Sequence, residues 1–228
     1  MKELRRARTG SAPRPTSVRN LILVAASSLV YASMFWPNSI ILSEGMRGLG
    51  YPPYGGFKGA FLPHLLFYST FPALVAAFLW LGLSHFNLLP FRPFGPAGGS
   101  VLPGVLAGLA ALAAALAVVL AFFPAGTVHW IAPAPWKIAG NVFSNFFEEL
   151  IFRGFILAAL RIVAGFWPAA VISAALWAAL HTQYPVALQL TIFAIGILFA
   201  WLVKHAGSLM APYMAHTVLD LCGDCLIG

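Results

Sequence analysis

The stretch Asn145-Phe146-Phe147-Glu148-Glu149-Leu150-Ile151-Phe152-Arg153-Gly154 decides how the chain is read. It sets two carboxylates and a guanidinium in a segment that is otherwise apolar. Glu149 and Arg153 stand four residues apart, so a helix puts them on one face within pairing distance. Glu148 is turned by about 100° from Glu149 in helix geometry and can address a different neighbour. Pairing with Arg153 keeps one acid ionised and held in place, which leaves the other for proton transfer.

The chain around this stretch explains why such groups matter. Of 228 residues, 61% belong to the apolar set and only 8% are charged, with a mean hydropathy of +0.87. A soluble domain carries about a quarter charged residues, so this chain has too little polar surface to face water on all sides. Disordered, collagen-like and disulfide-framed secreted classes are excluded by the same composition. Six acids are present; Glu3 and Glu44 lie outside the apolar runs, whereas Glu148, Glu149, Asp220 and Asp224 lie within them. A carboxylate in a membrane is costly and marks a functional site by default.

A span needs about 20 mostly apolar residues, and seven runs approach that length: 20–42, 61–83, 101–123, 137–164, 166–183, 185–203 and 208–226. The expected fold is all-α, a multi-pass transmembrane helical bundle of about seven spans. It forms a single domain over 20–228 behind a basic tail at 1–19. Pro/Gly-rich loops separate the early runs, and the third loop, 124–136, holds Pro133 and Pro135, which end one helix and let another begin. Lys2, Arg5, Arg6, Arg8, Arg14 and Arg19 precede the first run, which places the N-terminus in the cytoplasm by the positive-inside rule. With Arg92, Arg161 and Lys204 counted inside as well, nine basic residues stand against Arg47, Lys58 and Lys137 outside, most of the bias coming from the tail. The first run is too long for a signal-peptide core and reads as a retained anchor. By depth along the helices, the polar cluster is expected to open toward the outer half of the bilayer.

Two further polar pairs occur late in the chain. Leu176-Trp177-Ala178-Ala179-Leu180-His181 sets an imidazole one turn after an indole, and His216-Thr217-Val218-Leu219-Asp220 sets an imidazole and a carboxylate on one helix face. A lone histidine in a span is more often a helix-packing hydrogen bonder than a catalyst. His64, His85, His129 and His205 fall in that class or at helix ends. Glu149/Arg153 is at least as readily structural as catalytic. Three polar clusters on three spans nevertheless satisfy one another most cheaply by converging on one wet cavity.

The order Glu-Glu-x-x-x-Arg, aromatic-x-x-x-His and His-x-x-x-Asn/Asp resembles the CPBP family, the type II CAAX prenyl proteases and bacteriocin-processing relatives. Glu148, Glu149 and Arg153 match the first motif, Trp177 and His181 the second, and His216 and Asp220 the third. The resemblance covers 141–220. It departs in having Trp177 where Phe is usual and Asp220 where Asn is common. It implies an intramembrane endopeptidase acting on membrane-anchored or lipid-modified proteins, in a bacterial cytoplasmic (inner) membrane. Glu148 would be the general base that activates water, working with His181; His216 and Asp220 would stabilise the oxyanion, and Glu149 with Arg153 would hold the geometry.

Glu148, His181, His216 and Asp220 also make a conceivable tetrahedral zinc set. The His-Glu-x-x-His helix of zinc proteases is missing, so the expectation is a glutamate mechanism without a cofactor, with zinc as the alternative. Cys222 and Cys225 have C-x-x-C spacing but no second pair or βαβ context, and read as small residues near a helix end. No nucleic-acid patch occurs. Two rival functions stay open: a non-catalytic escort or scaffold for membrane proteins, and a small transporter or proton relay.

Overall fold

The computed structural model describes residues 18–35, 70–89, 101–122, 135–182 and 184–226. Every regular element among them is helical. In chain order these are α1 (Val18–Ser33), α2 (Phe71–His85), α3 (Val101–Phe122), α4 (Pro135–Glu149), a π-helical segment (Leu150–Ile156), α5 (Leu157–Ala164), α6 (Phe166–Ala179), α7 (Val186–Ala206) and α8 (Met210–Leu226). Two of them, α3 and α7, are long and apolar enough to cross a membrane. Large apolar side chains such as Phe78, Leu102 and Leu120 stand on the outer faces, as expected of helices that meet lipid rather than water.

Each helix lies on a run of the sequence expected to be helical. The ends of the first two runs, 36–42 and 61–69, lie outside the described residues, as do His64 and His129. The helix expected from 137 begins at Pro135 instead, because proline at the first helical position surrenders an N–H that has no partner there anyway. The fifth run, expected to reach residue 183, is helical only to Ala179. Its last turn tightens: Leu180 N–H donates to Trp177 O at 3.1 Å and His181 N–H to Ala178 O at 3.0 Å. Pro185 then holds an extended backbone ahead of α7, as its missing N–H and fixed φ require.

The helix that carries the acids sits at the centre. Ile151, Phe152, Phe155 and Ile156 are fully buried, surrounded by α1, α2, α6 and α7. Trp80 of α2 meets Phe155 edge-on at 6.1 Å between ring centroids. Gly165, at φ +82°, turns the chain sharply from α5 into α6 in a conformation that favours glycine.

The closest packing joins α3 to α8 through Gly104 and Gly108. A Cβ on Gly108 would stand 2.5 Å from Ala215 O and 2.8 Å from Val218 Cβ. Two small residues four apart therefore let the backbones touch, and α8 is thereby held where it can present His216. Gly108→Leu is expected to lower stability in detergent by about 1–3 kcal/mol or more through overpacking. Gly82→Leu, where nothing lies within 4 Å, is the matched control; equal unfolding temperatures for the two variants would contradict the close α3–α8 contact.

Candidate active site

Glu149 ends α4, and the π-helical segment begins at the next residue. Within it Leu157 N–H donates to Phe152 O, an i to i−5 bond. The same carbonyl accepts Ser173 Oγ–H of α6 at 2.8 Å. Wider coiling thus gives Phe152 O two donors and ties the acid-bearing helix to α6. Such segments recur at functional sites.

Arg153 Nη1 stands 3.2 Å from Glu149 Oε1, the pairing expected from their spacing. His216 Nδ1 of α8 approaches the same oxygen at 2.9 Å. All three side chains are buried. On its other edge His216 Nε2 is 3.5 Å from Asp220 Oδ2, and the Asp220 side chain is 35% exposed. Both ring nitrogens therefore face carboxylates, which only accept when ionised. Holding both contacts takes an imidazolium or a proton on one of the acids.

Glu148 points elsewhere, as its rotation from Glu149 requires. Its Oε2 accepts the indole Nε1–H of Trp177 at 2.9 Å, in a half-buried position. Trp177 then touches nearly every other group. Its ring lies edge-on to His181 and to His216, with centroids 5.1 Å apart, and Arg153 Cζ sits 4.3 Å over it. His181 Nδ1 is 2.9 Å from Trp177 O. A carbonyl cannot donate, so Nδ1 carries a proton, and in the neutral ring Nε2 is the acceptor. The His181 ring also stacks on Tyr184 at 6.2 Å.

The expected site residues are thus brought together: Glu148, Glu149, Arg153, His181, His216 and Asp220 lie within one network around Trp177. The network is graded in depth. Glu149, Arg153 and His216 are buried, while Glu148, His181 and Asp220 are partly accessible. Several contributors were not evident from the sequence as site groups. Phe199 of α7 packs its ring 5.5 Å from His216 and 5.3 Å from Arg153 Cζ. Asn145 is 1% exposed, and its Nδ2 has no hydrogen-bond partner among the described residues. Its position four residues before Glu149 was the available signal, since 145, 149 and 153 share one helix face.

The four residues weighed as zinc ligands do not form a ligand set in this arrangement. His216 turns both nitrogens to carboxylates, and Glu148 Oε2 is taken by the indole. Among the described residues, no three His, Cys, Asp or Glu side chains are grouped to hold a metal ion. Cys222 and Cys225 are free thiols in half-buried positions on α8.

Described residues whose regular elements are all helical, with an ionisable network inside apolar helices, fit a membrane protein with a buried polar centre. Residues 130–222 match the family described as type II CAAX prenyl endopeptidase Rce1-like, in agreement with the resemblance to the CPBP proteases; the match contains every residue of the network. No curated protein and no solved structure matches the chain.

Proposed function

We propose that the protein is a multi-pass intramembrane endopeptidase that hydrolyses peptide bonds of membrane-anchored or lipid-modified proteins through a glutamate-activated water. The observation that carries this reading is the gathering of a partly accessible carboxylate, Glu148, and two imidazoles, His181 and His216, around one indole. The family match over 130–222 supports a protease of the CAAX type.

In the proposed reaction Glu148 takes a proton from a water molecule whose oxygen attacks the scissile carbonyl carbon. His181 Nε2, left as an acceptor by the Nδ1 bond to Trp177 O, holds the other proton of that water. As the carbonyl oxygen gains charge, His216 Nε2–H turns to it from its contact with Asp220, which at 3.5 Å is long for a hydrogen bond. Glu148 then returns its proton to the amine nitrogen as the C–N bond breaks. Glu149, buried and paired with Arg153, holds His216 in position through Nδ1 for this role.

The surroundings support a membrane-borne substrate. Tyr184, stacked on His181, exposes apolar surface, as does Val186 at the start of α7, which suits lateral approach by a lipid-modified or membrane-anchored segment. The test compares the termini of membrane proteins in cells that carry the native chain and in cells that carry Glu148→Gln. New termini are expected only with the native chain. Identical sets of termini, with a partner still bound by both forms, would instead mark a scaffold; loss of a transport flux without any cleavage would mark a transporter.

A further inference from the structure

The geometry points to Trp177 as a positioning residue whose indole N–H aims the Glu148 carboxylate at the reacting water. This inference rests on the reading of Glu148 as general base. Three observations support it. The Nε1–H to Oε2 bond is 2.9 Å long and links α6 to the end of α4, so it restrains the carboxylate from a second helix. Trp177 itself has little freedom: it is 2% exposed, Gly196 approaches its ring so closely that a Cβ there would meet Cε3 at 3.2 Å, and the Arg153 guanidinium covers one face. Finally, the same residue accepts from His181 Nδ1 through its main-chain oxygen. One residue therefore orients both the acid and the imidazole tautomer, the first through its side chain and the second through its backbone.

The indole does both parts of the side-chain task. Phenylalanine keeps a ring between Arg153, His181 and His216 but has no donor, so Glu148 Oε2 loses the 2.9 Å bond that links it to α6.

Trp177→Phe is therefore expected to fold, with an unfolding temperature in detergent near that of the native chain. Its kcat on a quenched fluorogenic farnesyl-cysteine peptide should fall roughly 10- to 100-fold, as for loss of one hydrogen bond to a charged group. KM should stay near the native value, because the indole holds the base and not the substrate. A purely structural role would lower the unfolding temperature and disturb substrate binding along with kcat. The indole N–H resonance of Trp177, followed with 15N-labelled tryptophan, should also shift in Glu148→Gln. A Trp177→Phe enzyme with native kcat, together with an inactive Glu148→Gln enzyme, would overturn this inference alone. An active Glu148→Gln enzyme would overturn the reading of the site and this inference with it.

Discussion

Arg153→Met is expected to destabilise the protein by about 3–5 kcal/mol, the cost of leaving one member of a buried ion pair without its partner. Methionine keeps much of the length that fills the space between Trp177 and Phe199, so the loss arises from charge rather than from a cavity. What it strands is Glu149, which is 1% exposed and is left with its His216 Nδ1 contact. The orientation of His216 should loosen at the same time, so activity falls even at temperatures where the variant is folded. Adding Glu149→Gln to Arg153→Met removes the stranded charge. The double variant is therefore expected to lose less stability than the two single losses combined, as for residues in one network. Unfolding in detergent, followed by tryptophan fluorescence, measures all three. Strict additivity would show that the pair is not coupled in the way its 3.2 Å contact implies.

The second large effect concerns chemistry rather than folding. Glu148→Gln keeps the size of the side chain and an oxygen that can still accept from Trp177 Nε1–H, but it cannot take a proton from water. A positioned general base contributes typically about 10²–10⁴-fold, and kcat should fall by at least that much. Glu148 lies outside the buried Glu149–Arg153–His216 network, so stability should be little changed. The contrast between neighbouring positions is diagnostic: 149 with 153 governs folding, and 148 governs turnover. That division follows from the rotation between two consecutive helical residues.

Much of this was legible in the sequence because the informative groups are so few. In a chain with 8% charged residues, an acid pair in an apolar run stands out, and four-residue spacing suffices to anticipate the Glu149–Arg153 and His216–Asp220 contacts. The third motif also gave the correct helix. What could not be read was how the helices meet. The bond from His216 to Glu149 spans 67 residues, and nothing local in α8 reveals that its imidazole faces the buried acid. The π-helical segment was equally hidden, since it depends on Ser173 from another helix capturing Phe152 O. Trp177 was visible as an aromatic in a motif, but its indole donor acquires meaning only once Glu148 lies 2.9 Å away. The early end of α6 was misjudged for a simpler reason: the span was carried through the polar residues His181-Thr182-Gln183, whereas Pro185 and the bond of His181 Nδ1 to Trp177 O stop the helix sooner.

The central claim is that the ionisable groups gathered around Trp177 form a centre that splits an amide bond. Its most direct measurement is cleavage of the farnesyl-cysteine peptide by purified protein in lipid nanodiscs, native beside Glu148→Gln, with the products read by mass spectrometry. A single defined scission by the native chain, absent from an equally stable Glu148→Gln protein, is the predicted result. Equal scission by both proteins would contradict the account.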